Sequence, residues 1–386
     1  MLRVLKRIPP VPGNNLYLTL DSRLQAASEK AFGDYAGSAI ALDPKTGDIL
    51  AMVSLPAYDP NPFVNGIEYA DYTALREDDK EPLFNRALRG QYPPGSIVKP
   101  FIGLAGLEQG VTGHKSSTYC PGFYTLPGST RKYRDWKRTG HGTVKLDEAI
   151  TQSCDVYFYD LALSMGIDRI HDYLQHFGFG KRTGIDIQGE LPGLLPSPGW
   201  KRARRGEPWF PGETVITGIG QGFFLSTPLQ LAVATATLAN QGQRVKPKII
   251  YTAGQAGSSV LQTVSRQKDQ IIAINDPAHW DRIIASMVHV VHGERGTARH
   301  IGSDSPYRIA GKTGTAQVFG LKEEEEYDAE AIAEKLRDHA LFIAFAPVDD
   351  PQIVVAIIVE HGGSGGAIAA PIARSILDSY LLDEAS

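Results

Sequence analysis

Tyr92-Pro93-Pro94-Gly95-Ser96-Ile97-Val98-Lys99 is the stretch on which the reading of this chain turns. Two prolines and a glycine bar helix up to Ser96. From Ile97 to Leu107 the residues are apolar enough for a buried helix, and Pro100 is tolerated in its first turn. Ser96 therefore falls at a helix N-terminus, where free N–H groups and the helix dipole favour negative charge. Lys99 lies one turn on along the same face, so its amine can reach the Ser96 hydroxyl. A lysine is a base only when neutral. Its pKa must fall from about 10.4 toward about 7, worth roughly 4 kcal/mol, which burial and a neighbouring cation such as Lys312 can supply. Alone, a serine and a lysine at this spacing describe the surface of any helix.

Two further tokens change that. Ser153-Cys154-Asp155 lies within an apolar run from Leu146 to Tyr159, so Ser153 and Asp155 are polar groups near the interior that need partners. Ser153 is placed to relay protons between Lys99, Lys312 and a leaving amine. Its plain structural reading is a helix N-cap. Lys312-Thr313-Gly314-Thr315 lies in Gly311–Val318, which alternates like a half-exposed strand. A peptide could add to this strand's edge, with Lys312, Thr313 and Thr315 meeting a terminal carboxylate. The Thr315 and Ser96 N–H groups would form an oxyanion hole worth about 3 kcal/mol per donor. The plain alternative is an edge strand kept soluble by its lysine.

SxxK, SxD and KTG in this order are the signature of serine enzymes that acylate on D-alanyl peptides or β-lactams. The chain resembles the transpeptidase domain of the class B penicillin-binding proteins, most closely the group of Gram-negative penicillin-binding protein 2. The resemblance runs over nearly the whole chain. It includes the hairpin Ala39–Val53, Tyr58–Asn61, Arg134–Lys137, Gly218–Gly222, Ser226–Gln230 and Thr315–Gly320. It implies an α+β fold, a five-stranded antiparallel sheet flanked by helices with an all-helical lobe. It further implies residues 1–20 as the tail of a non-catalytic pedestal and 21–386 as the transpeptidase domain. The catalytic set it implies is Ser96, Lys99, Ser153, Asp155 and Lys312, with Thr313, Gly314 and Thr315 binding substrate. Most relatives carry asparagine where this chain has Asp155, but the penicillin-binding protein 2 group resembles it in having the acid.

The activity implied is D,D-transpeptidation of peptidoglycan stem peptides through a Ser96 acyl-enzyme, inhibited by β-lactams, without a cofactor for catalysis. A β-lactamase, a non-catalytic β-lactam receptor and a D,D-carboxypeptidase use the same tokens. The family carries a membrane anchor, so the resemblance implies a catalytic portion at the periplasmic face of the inner membrane. A separate glycosyltransferase and elongation-complex membrane proteins are the implied partners.

The two cysteines form a second constellation. Cys154 lies inside the SxD token, and Asp135 and His141 fall between it and Cys120. Two thiolates, an imidazole and a carboxylate complete a tetrahedral, closed and therefore structural zinc shell. A disulfide in an oxidising compartment, or two unrelated buried thiols, remain alternatives. His289 and His292 are three apart but have no third ligand near them, and the other histidines show no ligand spacing. HExxH and CxxC are absent, and no serine sits in a nucleophile-elbow context.

With 42% hydrophobic residues in 386, the chain can bury a large core, and its formal net charge of -4 gives no reason to expect nucleic acid. Basic runs at Arg131–Arg138 and Trp200–Arg205 read as solvated faces or as contacts for anionic wall polymer or partner proteins. No apolar run approaches a membrane span. The pattern predicts a helix over 22–33 and a hairpin over 37–54, then a largely helical region over 96–300 with turn-rich breaks at 120–142 and 189–212. An acidic loop follows at 322–337, then strands at 340–346 and 353–360 and a helix over 370–382.

Overall fold

The computed structural model describes residues 13–255, 261–263, 268–318 and 336–382. Its centre is a five-stranded antiparallel sheet in the order Ala310–Ala316, His339–Ala346, Ile353–Val359, Gly37–Leu42 and Ile49–Leu55. The sequence explains the middle of it. Residues 340–346 and 353–359 are continuous apolar runs, and such runs belong in strands covered on both faces. Every one of those residues is buried. Helices Ser22–Phe32 and Ala370–Leu381 cover one face and Pro228–Ala239 the other. The Ser22 helix starts where expected because the Asp21 carboxylate accepts from the Arg23 and Leu24 amides.

The helical lobe is built around Lys99–Glu108, whose residues through Leu107 are all buried. Leu146–Thr151, Asp155–Met165, Ile167–His176 and Ala278–His292 pack around it. Phe101 sits edge-to-face on Phe177 and Phe179, at centroid distances of 5.0 and 5.5 Å. No described helix is long and apolar enough to cross a membrane.

Several expectations change. The Ala310–Ala316 strand is a sheet edge but not half-exposed. Lys312 is fully buried, because the Ala278–His292 helix and the turn at Ser96 pack on it. The break at 120–142 holds two two-stranded sheets, Thr118–Cys120 with Gly142–Val144 and Phe123–Thr125 with Lys132–Arg134. The break at 189–212 contains the helix Pro198–Arg205, capped by Ser197. Strands Gln243–Val245, Ile250–Gln255, Leu261–Thr263 and Lys268–Ile271 interrupt the region expected to be helical. Of residues 1–20, expected as the tail of a pedestal, 14–18 form a strand paired with Ile250–Gln255, and 1–12 lie outside the described residues. The acidic loop also lies outside them over 322–335.

Candidate active site

Gly95 opens the turn that carries Ser96. Its φ of +55° is left-handed, and a Cβ there would lie 2.4 Å from the Thr315 carbonyl oxygen, so only glycine fits. The Gly95 amide donates to the Gly220 carbonyl at 2.9 Å. Ser96 thus enters a short 3-10 turn, Gly95–Val98, that runs into the Lys99–Glu108 helix. It is partly exposed between buried neighbours.

Ser153 stands between the two lysines. Lys99 Nζ donates to Ser153 O at 2.8 Å, to Ser153 Oγ at 3.3 Å and to Asp155 Oδ1 at 2.7 Å. Lys312 Nζ donates to Ser153 Oγ at 3.0 Å and to Thr313 O at 3.0 Å. Both lysines are wholly buried. Ser153 has φ +57°, a left-handed conformation that costs an L-residue about 1 kcal/mol. That strained step turns its hydroxyl toward both amines.

The two lysines differ in their charged neighbours. Lys99 pairs with Asp155, whose second oxygen accepts from the Trp136 amide at 3.0 Å. Burial pushes the Asp155 carboxyl up against the opposing pull of Lys99. Burial, reinforced by the Lys99 charge, pushes Lys312 well below the usual lysine range. The Lys99 amine is spent on Ser153 and Asp155, with no hydrogen bond to Ser96 among the described residues.

The strand's other groups are also held. Thr313 Oγ1 shares a hydrogen bond with Thr297 Oγ1 at 2.7 Å, and Gln221 Nε2 donates to Thr315 O at 3.0 Å.

Directly behind Ser153, Cys120, Asp135, His141 and Cys154 bring their donor atoms within 4.8 Å of one another. Cys120 Sγ lies 3.5 Å from Asp135 Oδ2 and 3.6 Å from His141 Nδ1, and Cys154 Sγ lies 3.4 Å from Asp135 Oδ2. Tetrahedral bonds of about 2.0–2.3 Å to zinc require ligand separations of roughly 3.3–3.8 Å. The donor set and its spacing therefore fit that ion. Both cysteines are free, so no disulfide joins them. Burial and the Asp135 charge push the Cys154 thiol far up, and burial raises Cys120. Burial also acts to raise Asp135, but the His141 hydrogen bond, the Lys137 amide and the Lys99 charge outweigh it and hold the carboxyl well below its usual range.

The model of the penicillin binding protein transpeptidase domain matches residues 37–378. The chain belongs to the penicillin-binding protein transpeptidase family. Peptidoglycan D,D-transpeptidase MrdA of Haemophilus influenzae is 43% identical over 383 residues, which is 99% of this chain and 58% of that protein. The chain thus spans about three fifths of that relative's length. Pseudomonas aeruginosa penicillin-binding protein 2, solved with WCK 5153, is similar with a TM-score of 0.89 at 48% identity. The match covers 98% of this chain and 78% of that one. The complex of Helicobacter pylori penicillin-binding protein 2 with MreC is similar with a TM-score of 0.84 at 33% identity, covering 96% and 64%.

This penicillin-binding domain brings Lys99, Ser153, Asp155 and Lys312 into one hydrogen-bonded group, and the Gly95 turn sets Ser96 against Thr315. Three contributors were not assigned from sequence. Trp136 donates its indole N–H to Gln152 O and Ser153 O, both at 3.1 Å. Gln221 and Thr297 hold the strand from either side. Trp136 and Gln221 both lie in segments that carry the family resemblance, which was the available signal. Thr297 had none.

Proposed function

We propose that this domain is a peptidoglycan D,D-transpeptidase that serves lateral wall synthesis and rod shape. The observation that carries the reading is Ser153 Oγ held at 3.3 and 3.0 Å by the lysines of the other two tokens. In the reaction, the Lys99 ammonium first yields a proton to Asp155, and the neutral amine then takes the Ser96 Oγ proton as Ser96 attacks the carbonyl between the two terminal D-alanines of a stem peptide. The Thr315 and Ser96 amides receive the oxyanion. The C–N bond breaks, and Ser153 passes a proton to the departing D-alanine amine. The amine of a second stem peptide then attacks the acyl-enzyme, forming the cross-link and restoring Ser96. Lys312, Thr313 and Thr315 hold the terminal carboxylate of the peptide lying along the Gly314 edge. Asp155, buried on Lys99 and the Trp136 amide, holds the base rather than the peptide.

Cys120, Asp135, His141 and Cys154 are the proposed ligands of a structural zinc ion. Such an ion would supply charge that keeps the two thiols ionised, and no catalytic step runs through it. Cys154 is the N-cap of the Asp155–Met165 helix, and Asp135 Oδ2 accepts from the Asp155 and Val156 amides. The cluster therefore fastens the helix that presents Ser153 and Asp155.

A membrane-anchored parent at the periplasmic face, a separate glycosyltransferase and elongation-complex partners complete the proposal. The similarity to a relative solved in complex with MreC supports the partners. The test is intact-protein mass spectrometry after brief exposure to a penicillin, with Ser96→Ala alongside. A persistent one-drug mass gain, absent from Ser96→Ala, is expected. Rapid loss of the adduct with drug turnover would mean a β-lactamase, and no adduct would refute the site.

A further inference from the structure

The chemistry above leaves two basic runs unused, and the fold links them through the Gly212–Glu213 segment. In the first, Arg131, Lys132, Arg134, Lys137 and Arg138 are exposed around Tyr133 and Trp136. Trp136 is 59% exposed, yet its polar edge is bound to Gln152 and Ser153. This run is thus fastened to the Ser153 side of the site.

The second run is the C-terminal half of Pro198–Arg205, where the helix dipole favours cations. Lys201 is buried and paired with Glu207 and Glu213, while Arg202, Arg204 and Arg205 are exposed. The Arg205 guanidinium lies over Phe223 at 4.6 Å, and Trp200 and Trp209 flank the same ring at 5.3 and 6.5 Å. Phe223 is two residues from Gln221, which holds Thr315. The two runs are linked through one neighbouring segment: Lys201 pairs with Glu213, and a Cβ on the adjacent Gly212 would lie 2.3 Å from Tyr133 Oη. Among the described residues, Arg131, Lys132, Lys137, Arg202, Arg204 and Arg205 have no carboxylate within ion-pair distance. Such a concentration of one sign in a chain of net charge -4 creates a local field that draws in anions.

We infer that this aromatic and cationic strip is the docking surface for the second substrate, a carboxylate-bearing peptide on a sugar strand that delivers the attacking amine. The inference rests on the transpeptidase reading. In that reading the first peptide's carboxylate is taken by Lys312, Thr313 and Thr315. The second strand arrives after the leaving group departs, so it needs anchorage outside the cleft. Guanidinium groups pair with carboxylates, and exposed ring faces suit the C–H faces of sugars. Each exposed pair is weak, so the strip acts collectively and is salt-sensitive.

The test compares the native protein with R202Q/R204Q/R205Q, using a soluble stem peptide with a free amine and free carboxylates, and the same peptide amidated. Partition of the acyl-enzyme between peptide and water is followed against peptide concentration. The triple variant is expected to raise the half-saturating concentration of the acidic peptide about tenfold. The difference should shrink in about 0.5 M salt and vanish for the amidated peptide. Equal half-saturation in both proteins overturns the inference. So does an equal shift with the amidated peptide, which signals a structural defect. So does loss of binding to anionic lipid vesicles with peptide saturation unchanged, which assigns the strip to a membrane. Acylation by penicillin is read in parallel. A native protein that acylates but transfers to no amine overturns the transpeptidase reading, and this inference with it.

Discussion

Gly95→Ala tests how tightly Ser96, the proposed nucleophile, is set against the strand. At φ +55° alanine pays about 1 kcal/mol for the left-handed conformation. Its methyl would also stand 2.4 Å from the Thr315 carbonyl oxygen, where real Cβ contacts are essentially never closer than 3.0 Å. Something must therefore move by about 0.6 Å. The turn cannot simply retreat. Gly220, at φ +72°, is packed so closely behind it that a Cβ there would lie 2.3 Å from the Gly95 carbonyl oxygen. Ser96 is the next residue, so the displacement passes to its hydroxyl and to the amide that meets the oxyanion. Misplacement approaching 1 Å costs on the order of 10²-fold in rate. The expected result is a fall of about 10²-fold in the second-order rate of acylation by a fluorescent penicillin, with a Tm lower by only about 2–4 °C. Gly13→Ala, with nothing within 4 Å of the added methyl, is the control and should change neither. Acylation by folded Gly95→Ala within threefold of the native rate would refute the argument that this contact sets the nucleophile.

Asp155→Asn leaves the buried Lys99 ammonium without its anion, and about 3–5 kcal/mol of stability should be lost in urea denaturation; a loss below about 1 kcal/mol would contradict the ion pair. Metal analysis of protein purified without chelator should find about one zinc per chain, falling sharply in Cys120→Ser; zinc far below that, with both thiols reactive, would sink the metal reading. Burial and the His361 charge push His339 down to about 4, so its stability contribution is present above about 6.5 and lost as pH falls toward 4. Burial pushes the neighbouring Asp338 up to about 6, so its contribution is present below about 3.8 and lost as pH rises through 6. The two slopes oppose each other between pH 4 and 6, and Asp338→Asn should unmask a loss on acidification of order 3 kcal/mol by urea denaturation; an unchanged pH profile would refute the pairing.

What was legible in the sequence follows from how local each constraint is. The turn before Ser96 could be read because proline and glycine act on their own backbone. The two inner strands could be read because a strand covered on both faces is apolar at every position. The strand with Lys312 misled, because alternation normally marks one wet face. Here Lys312 is enclosed by the Ala278–His292 helix and hydrogen-bonded to Ser153, 159 residues away in sequence. The short strands over 118–144 carry little apolar periodicity, and close glycine contacts fix them instead. A Cβ on Gly122 would meet the Arg138 carbonyl oxygen at 2.1 Å, and one on Gly140 the Cys120 carbonyl oxygen at 2.2 Å. Such pairings are invisible to a periodicity reading. The three tokens were legible in the sequence, but how their side chains share hydrogen bonds was not. The spacing from Ser96 to Lys99 predicted a direct contact, whereas Asp155 and Ser153, more than fifty residues on, claim the Lys99 amine.

That sharing explains why a donor cluster lies behind Ser153. Ser153 holds a disfavoured φ, and such a conformation persists only where its surroundings over-determine it. On one side its amide donates to Ile150 O, and the Trp136 indole and Lys99 converge on its carbonyl. On the other side the next residue is Cys154, and the helix beyond it begins with two amides donated to Asp135. Asp135 thus caps the helix and belongs to the cluster, and Trp136, its neighbour in sequence, binds both Ser153 and Asp155. A perturbation at Cys120 or His141 therefore need not travel through the core to reach the lysines. It has only to release Asp135, and the strained turn that holds Ser153 between Lys99 and Lys312 loses one of its two anchors.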